Sequence, residues 1–482
     1  MEDYLLLALL VLIATFVWMA GVVRALLAAV VLGAALTMAV DPKADYSSDG
    51  GLLLSAYLFS RSSDLNAWHR GFNPLLDLDP VELSRHWGYD AELHHVTTED
   101  GYILGIHRIT GPSSSTPSWS VERADDGLGN GLDGVDGSEV GDKRRSIRQQ
   151  QKPVVILAHP LLSSSSDWII LGPGKALAYL LADEGFDVWM MNVRGNTYSL
   201  NHTTLSTKSA AFWDFTYHEH ATQDLPALIQ YVVRETGEQQ LQYVGFSMGT
   251  TIMFIMASER PDMARHIRMF TGLGPVTSLV HTKSTTFRVL AHTTPVLMRT
   301  SAFFGIHSFL PSTAALRTAG EIFCSDGSLT QPLCVGLIDA LSGRNDKQTN
   351  STLLPYIISR TPSGTSFKTI NHYGQSLRHG FRRYDYGTTG NIQRYGHEMA
   401  PKYNVSNVLV PARLHYGPND HLTDPRDVIP TCSELPNLLS CDAVADPLWT
   451  HLDFVWAKQA PELVYRRVIA DIKESNLAAT VA

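Results

Sequence analysis

The stretch YVGFSMGTTIMF, residues 243–254, decides the fold because it places a serine between two glycines, after a strand-like run and before a helix-like run. The pattern predicts a strand, a tight turn and a helix, an arrangement that lifts a serine hydroxyl above the C-terminal edge of a sheet. A chain with 36 glycines also produces such a G-x-S-x-G match by chance. Ser247 is therefore either a nucleophile or an ordinary serine in a glycine-rich loop, and the rest of the sequence has to distinguish the two.

The segments around Ser247 alternate between short apolar runs and amphipathic stretches. Helices are predicted at 174–186, 218–236 and directly after Ser247, and strands at 153–159, 187–194, 240–246 and 266–275. Earlier in the chain, ELHHVTTEDGYILGIHRI (92–109) alternates polar and apolar residues around a Glu-Asp-Gly turn and predicts a hairpin. Strands and helices in alternation predict right-handed βαβ units and a parallel sheet.

Two segments interrupt this pattern. Residues 111–152 are mostly Ser, Gly, Asp and charged residues with little apolar content, and they predict a disordered surface insertion because they bury too little apolar area to offset their ordering entropy. Residues 276–403 are irregular and aromatic-rich, and the sheet pattern resumes only at 408–417, followed by an amphipathic helix at 460–475. The sequence thus predicts a core made of 41–275 and 404–482 with a mainly helical cap at 276–403.

A serine hydroxyl is inert at neutral pH unless a base activates it. In the predicted architecture the acid and then the base follow the serine along the chain, after later strands. Asp420 lies just past the strand at 408–417, and His451 lies in a loop before the last helix. Asp424 is the alternative acid, and His421 is the alternative base. His421 adjoins the acid and cannot easily reach the serine, so the sequence favours Ser247, Asp420 and His451.

An oxyanion hole requires two backbone N–H donors. Met248, the residue after the serine, provides one. Leu161, in the turn after the strand at 153–159, is the candidate for the other. The alternative interpretation of that turn is a plain β-turn nucleated by Pro160.

The N-terminus predicts export. Residues 4–23 are apolar and about long enough to cross a bilayer, and Thr37-Met38-Ala39 has the small-x-small pattern of a signal-peptidase site. We interpret residues 1–40 as a signal peptide cleaved near Ala39. The alternative is an uncleaved membrane anchor at 4–23. Either interpretation places the remaining chain in an oxidising lumen or outside the cell, as a secreted or lumenal protein.

Glycosylation acceptors and cysteines agree with export. Asn201, Asn350 and Asn404 each begin an Asn-x-Ser/Thr triplet. The four cysteines form two close pairs, which favours two short-loop disulfides over four buried thiols; these pairs are Cys324 with Cys334 and Cys432 with Cys441.

Composition excludes other classes of function. The formal net charge of −9 leaves no basic face for a nucleic-acid partner. The 19 histidines include no H-E-x-x-H motif, and the cysteines form no C-x-x-C pair. The sequence therefore predicts neither a metal site nor a cofactor.

Several stretches resemble the acid lipase family of α/β-hydrolases, which includes gastric and lysosomal acid lipases. The matching stretches, which span the chain from about Arg85 to the C-terminal helix, are HHVTTEDGYILGIHRI, LADEGFDVWMMNVRGNTYS, FWDFTYHEHATQDLPALIQYV, YVGFSMGTT, GPNDHLTDP and HLDFVWA. The resemblance implies an α/β-hydrolase fold, with a mostly parallel sheet, helices on both faces and a helical cap that includes a mobile lid. It also implies a nucleophile at Ser247, a charge relay through Asp420 and His451, oxyanion donors at Leu161 and Met248, and a Cys324–Cys334 bridge in the cap.

The chain departs from the family pattern at three places. Pro160 stands where the family usually has glycine. Phe246 and Met248 replace the polar pair of the usual G-H-S-Q-G elbow. The insertion at 111–152 is longer than usual.

The first functional hypothesis is an exported serine esterase that hydrolyses neutral lipid esters, triacylglycerols or sterol esters, at a lipid–water interface. The second is a lipase-like lipid-binding or storage protein with weak or lost catalysis, which the Pro160 and Met248 departures would explain. A hydrolase of amides or peptides shares the same three residues, but the resemblance disfavours it.

Overall fold

The computed structural model describes residues 74–76, 78–113 and 152–481. The predicted export segment at 1–40 and residues 114–151 of the predicted insertion lie outside these ranges. Within them, no helix combines the length and the apolar character that crossing a bilayer requires.

One large sheet forms the centre of the described chain. Nine of the described strands belong to it, and their order is β1-β2-β4-β3-β6-β7-β10-β11, with β5 paired to β2. Neighbours from β4 to β11 run parallel, whereas β1, β2 and β5 pair antiparallel. The strands are β1 Tyr89–Thr97, β2 Tyr102–Pro112, β3 Val154–Ala158, β4 Asp187–Met190, β5 Asn201–His202, β6 Leu241–Phe246, β7 Ile267–Leu273, β10 Ala412–Tyr416 and β11 Leu438–Ala443, and a separate short pair consists of β8 Ser308–Phe309 and β9 Thr365–Ser366.

Helices cover both faces of this sheet and fill the segment between β7 and β10. The helices of the core are α1 Pro80–His86, α2 Leu177–Asp183, α3 Tyr217–Glu219, a π-helix His220–Asp224, α4 Leu225–Thr236, α5 Met248–Glu259 and α6 Pro261–Ala264. Between β7 and β10 lie α7 Thr285–Phe303, α8 Ala314–Cys324, α9 Gln331–Ser342, α10 Leu354–Arg360, α11 Phe367–His379 and α12 Gly387–Tyr395. The last helices are α13 Pro425–Glu434, α14 Asp453–Trp456, a π-helix Pro461–Tyr465 and α15 Arg466–Val481.

The burial of the central strands and of helix α5 explains why these elements are apolar. Every residue of β3 and β6 is buried, as expected for parallel strands covered on both faces. Helix α5 is apolar around most of its circumference and buries ten of its twelve residues. It can do so because it packs against strands β3, β6 and β7 and also against helix α3 and the π-helix His220–Asp224. The result is a rigid platform under the residue that precedes it, Ser247.

The fold class predicted from the sequence is confirmed, with local corrections. Strand β2 continues to Pro112, so the first two residues of the predicted insertion at 111–152 belong to the sheet. The strand predicted at 187–194 ends at Met190. Helix α13 and strand β11 were not predicted, because their apolar positions are interrupted by Pro430, Ser440 and Asp442. The division into a core and a separate cap at 276–403 stays a prediction.

Both disulfides expected from the cysteine spacing are present. Cys324 bonds to Cys334 between α8 and α9, and Cys432 bonds to Cys441 between α13 and β11. Each closes a short loop, and together they account for all four cysteines of the chain.

Candidate active site

Ser247 occupies the turn between β6 and α5 in a strained backbone conformation. Its φ is 52° and its ψ is −113°. Residues other than glycine rarely adopt this backbone conformation, and such strained conformations are associated with functional sites. A Cβ at position 249 would lie 2.3 Å from the carbonyl oxygen of Ala158, and one at position 245 would lie 2.7 Å from the Gly249 backbone. Both glycines are therefore required by close packing, and the G-x-S-x-G pattern has a structural basis here.

His451 and Asp420 complete a continuous hydrogen-bonded chain with Ser247. The Ser247 Oγ lies 2.8 Å from His451 Nε2, and His451 Nδ1 lies 2.7 Å from Asp420 Oδ2. All three residues are buried, with Ser247 the most accessible at 8%. Because the carboxylate can only accept, Nδ1 donates to Asp420, and Nε2 is left as the acceptor for the serine hydroxyl.

The Asp420 carboxylate is held by further donors. Its Oδ1 accepts from the amides of Leu422 and Thr423 at 2.8 and 2.7 Å. Its Oδ2 accepts from the Thr423 hydroxyl at 2.6 Å. These bonds fix the orientation of the carboxyl group and of the oxygen that faces His451. Thr423 was not singled out from the sequence, although its position three residues after an aspartate is typical of such a side-chain turn.

The two alternatives that the sequence left open contact other groups. Asp424 caps helix α13 and pairs with Lys283 and Arg426 at 2.8 Å each. Burial opposes its ionisation, but the hydrogen bonds from Arg426 and Lys283 outweigh burial and hold the pKa of Asp424 well below its ordinary value. His421 contributes its main-chain carbonyl to Lys283 and Ser284. Neither side chain hydrogen-bonds to Ser247 in the described structure.

The candidate oxyanion donors are two backbone amides, at Met248 and Leu161. Neither N–H has a hydrogen-bond acceptor among the described residues. Met248 is the first residue of α5, so its amide also carries the partial positive charge of a helix N-terminus. The Met248 amide can therefore stabilise negative charge that develops next to Ser247, whereas the role of the Leu161 amide stays a prediction.

His159 fixes the loop that carries Leu161. Its Nδ1 donates to the Pro160 carbonyl over 2.8 Å, while its Nε2 accepts from the Val193 amide over 3.3 Å. Burial lowers the pKa of His159 to about 4, so the ring stays neutral in mildly acidic solution. Since C=O and N–H point in opposite directions across a trans peptide, anchoring the Pro160 carbonyl orients the Leu161 N–H. The sequence analysis did not predict this role of His159. The unusual Pro160 directly after it was the feature of the sequence that could have drawn attention to it.

The segment between β7 and β10 contacts the loops of the candidate site. The Ser363 amide donates to the Leu162 carbonyl over 2.7 Å, next to a Leu162 backbone with φ of 61°. The Ser342 carbonyl, at the end of α9, accepts from the amides of His421 and His451 at 3.1 and 3.4 Å. Main-chain bonds from this segment therefore hold both the oxyanion loop and the loops of the acid and the base.

Two further carboxyl groups are buried beside the site. Asp453 accepts from the Thr450 amide and from Asn345, and Asp167 accepts from the Ser163 hydroxyl. Burial raises the pKa of each carboxyl to about 6. Both groups therefore favour the protonated form at a pH at which an exposed aspartate is ionised.

The remaining predicted positions are peripheral. Asn201 and Asn404 are exposed and Asn350 is partly exposed, and their glycosylation stays a prediction. No cluster of His, Cys, Asp or Glu among the described residues could hold a metal ion.

Comparison with known proteins decides the family. The model of the alpha/beta hydrolase fold matches residues 153–457, and that of a partial alpha/beta-hydrolase lipase region matches residues 80–172. The chain is 34% identical to the lysosomal acid lipase/cholesteryl ester hydrolase of Macaca fascicularis, over 88% of this chain and 98% of the relative. It is 35% identical to the gastric triacylglycerol lipase of Bos taurus (84% and 93% covered) and to lipase member M of Mus musculus (88% and 93% covered).

The chain belongs to the acid lipase family of α/β-hydrolases.

Two departures of this acid lipase family member, Phe246 in the elbow and Pro160 in the oxyanion loop, are compatible with the contacts around the site. The Phe246 ring lies 5.0 Å from the His451 ring and 5.9 Å from that of Phe454. An aromatic residue therefore packs against the imidazole where the family usually has a histidine. Pro160 accepts the hydrogen bond from His159 through its carbonyl oxygen, which a proline has like any other residue. The missing N–H of proline thus removes none of the hydrogen bonds that hold this loop.

Proposed function

We propose that this protein is an exported serine lipase or esterase that hydrolyses carboxylic ester bonds of neutral lipids, triacylglycerols or sterol esters, through an acyl-enzyme intermediate. The observation that carries the proposal is the unbroken hydrogen-bonded chain from Ser247 through His451 to Asp420. The unpaired amides of Met248 and Leu161 support it. The names of the relatives, a triacylglycerol lipase and a cholesteryl ester hydrolase, support the substrate class.

In the first step the Ser247 Oγ attacks the ester carbonyl carbon while His451 Nε2 takes the hydroxyl proton. The imidazole becomes an imidazolium, and the buried carboxylate of Asp420 stabilises this charge. The 2.8 Å separation of Oγ and Nε2 is within the range that proton transfer requires.

The carbonyl oxygen gains a negative charge in the tetrahedral intermediate. The amides of Leu161 and Met248 donate to this oxygen, and losing one such donor typically lowers kcat about 100-fold to 1,000-fold. When the intermediate collapses, the bond to the alcohol oxygen breaks and the imidazolium protonates the departing alcohol. Water then attacks the acyl-enzyme, with His451 again accepting the proton, and the fatty acid leaves as Ser247 recovers its hydrogen.

We further propose that residues 276–403 act as a cap over this site, since their main-chain contacts reach both catalytic loops. For residues 1–40 the proposal is an export signal, which places the mature enzyme in a lysosomal or extracellular compartment. The uncleaved anchor at 4–23 is the alternative. Relatives named for the lysosome and the stomach support export.

The alternative of a lipid-binding protein without catalysis is not favoured, because Ser247, His451 and Asp420 are all retained and connected. A fluorophosphonate probe tests the choice. We expect it to label Ser247 of the wild type and not of Ser247→Ala, and this substitution should abolish hydrolysis of p-nitrophenyl butyrate. Ser258→Ala, at the other end of α5, is the matched control and should keep full activity. A folded wild type that neither reacts with the probe nor hydrolyses the ester would refute the proposal.

The substrate class is tested with the same protein on emulsified triolein, cholesteryl oleate and a p-nitroanilide. We expect turnover of at least one lipid ester and none of the anilide. Faster hydrolysis of the anilide than of any ester would assign the site to amides instead.

A further inference from the structure

Two asparagines, Asn192 and Asn196, lie in the turn after strand β4 and have no part in the chemistry proposed above. Both are fully buried. Strand β4 pairs parallel with β3, so this turn and the loop that carries Leu161 lie at the same edge of the sheet. The turn is closed by main-chain bonds from the Asn196 amide to the Val193 carbonyl and from the Ser199 amide to the Asn196 carbonyl, at 3.3 and 3.0 Å. A buried side-chain amide needs hydrogen-bond partners, and these partners show what the turn holds.

Four contacts fix the orientation of the Asn196 side chain. Its Nδ2 lies 2.9 Å from Asn192 Oδ1, 3.3 Å from His159 Nε2 and 3.4 Å from the Ser163 carbonyl oxygen. Its Oδ1 accepts from the Tyr198 amide over 3.1 Å. The reversed orientation would place an amide oxygen, which cannot donate, against the two oxygens of Asn192 and Ser163. The nitrogen of Asn196 therefore faces the imidazole of His159.

The Nε2 atom of His159 is surrounded by hydrogen-bond donors. The Val193 amide and Asn196 Nδ2 both lie 3.3 Å from it. Because neither of these nitrogens can accept, Nε2 has to be the unprotonated nitrogen of the neutral ring. The ring hydrogen is then on Nδ1, which donates to the Pro160 carbonyl over 2.8 Å. The donors at one side of the imidazole thus determine the bond that it makes at the other.

The bond to the Pro160 carbonyl acts on the peptide that contains the Leu161 N–H. This carbonyl also accepts from the Ser163 amide over 3.3 Å, and two bonds to one oxygen restrict rotation of the peptide plane. In the other tautomer of His159 the lone pair of Nδ1 would face the lone pairs of the carbonyl oxygen, and the 2.8 Å contact would become repulsive. The peptide would then turn away and take the N–H with it.

We propose that Asn196 is a positioning residue of the hydrolytic reaction, because it fixes the tautomer of His159 and thereby the direction of the Leu161 N–H. The inference rests on the proposed function, in which this N–H donates to the oxyanion. An oxyanion forms both when Ser247 is acylated and when water releases the acid, so a misdirected donor slows both steps. Binding of the uncharged ester does not use this donor and is unchanged.

A double-mutant cycle on the full-length protein tests whether Asn196 acts through His159. The variants are Asn196→Ala, His159→Ala and the combination of the two, with p-nitrophenyl butyrate as the substrate. The kcat is expressed per Ser247 labelled by a fluorophosphonate carried to completion, so that a smaller folded fraction does not count as a loss of rate.

Each single substitution is expected to lower kcat about 30-fold with KM unchanged, since a misdirected donor keeps part of an effect that is about 100-fold to 1,000-fold when the donor is lost. The combination should also lower kcat about 30-fold, whereas two independent losses would multiply to about 1,000-fold. The affinity for a trifluoromethyl ketone, whose carbonyl oxygen becomes an oxyanion when the Ser247 Oγ adds to it, should fall in parallel with kcat/KM.

Asn391→Ala is the matched control. Asn391 is buried and donates to the Asp385 carboxylate and to the Glu398 carbonyl, at 2.7 and 2.8 Å. This variant should lose a comparable amount of thermal stability and keep the wild-type kcat per labelled serine. If Asn196→Ala yields no folded protein, Asn196→Ser keeps one donor and should give a smaller loss of kcat that is again absent in the His159→Ala background.

A wild-type kcat in Asn196→Ala, or losses that multiply in the cycle, would overturn the inference. A higher KM with unchanged kcat would also overturn it, since Asn196 would then affect substrate binding instead. These results require an active wild type, so they leave the proposed function intact. A wild type that neither hydrolyses the ester nor reacts with the fluorophosphonate would refute the proposed function and this inference together.

Discussion

Gly274→Ala tests whether the position of the His451 imidazole limits the rate of hydrolysis. Gly274 has φ of 52°, and an added Cβ would lie 3.1 Å from His451 Cε1 and 3.2 Å from Nδ1. The ring then has to retreat by a few tenths of an ångström, which lengthens the 2.8 Å contact between Nε2 and Ser247 Oγ. The substitution thus displaces the base without altering any polar group of the site.

A misplacement of about 1 Å can lower the rate of an enzyme roughly 100-fold. For the smaller displacement here we expect kcat to fall by about tenfold, equivalent to about 1.4 kcal/mol in the activation barrier. The KM for a short soluble ester should not change, because Gly274 contacts the base rather than the acyl or alcohol groups. The positive φ adds a loss of folding stability of about 1 kcal/mol, which lowers Tm slightly.

Gly396→Ala is the matched control. Gly396 also has a positive φ, 74°, but a Cβ there meets nothing within 4 Å. Both variants should lose a similar amount of stability in thermal denaturation, and only Gly274→Ala should lose kcat with p-nitrophenyl butyrate. Wild-type kcat in Gly274→Ala, with the expected drop in Tm, would refute the argument that close packing positions the imidazole.

Three further outcomes are expected. Thr423→Val removes a donor to Asp420 and should lower kcat by about tenfold with KM unchanged, whereas Thr423→Ser should restore it; failure of the serine to do so would contradict a hydrogen-bonding role. Pro160→Gly should preserve or raise activity, because the bonds of this loop use the Pro160 carbonyl; a sharp loss would mean that the oxyanion loop depends on the proline ring. Asp453 has a pKa of about 6 when folded, above its ordinary value of 3.8, so its contribution to stability is present at low pH and is lost as the pH rises through 6. Asp453→Asn should therefore reduce the fall in the free energy of unfolding between about pH 4 and 7, by roughly 2 kcal/mol, and a profile parallel to that of the wild type would show that another group is responsible.

The sequence was sufficient for the central strands of the sheet and for the three residues that the structure brings together. Strands β3, β4, β6 and β7 are short apolar runs separated by helices, and burial on both faces leaves such runs little freedom of composition. Ser247, Asp420 and His451 were identified by their order along the chain, because the topology places the ends of successive strands at one edge.

The sequence was insufficient where main-chain groups carry the structure. His159 and Ser363 act on the carbonyls of Pro160 and Leu162, and any residue has such carbonyls, so no pattern of side chains indicates these contacts. Strand β11 was missed for a related reason. It is an edge strand with partly exposed positions, and its alternation is too weak to be distinguished from a loop.

The anchoring of Ser342 and Ser363 to the loops below them has a consequence for protein engineering. Exchanging residues 276–403 for the equivalent segment of another lipase would replace more than a specificity element, since two of its backbone groups help to align the reacting atoms. A chimera is expected to work only if both junctions are transplanted together with their partner loops. A truncated enzyme lacking this segment should be slower even on small soluble esters, rather than more open and faster.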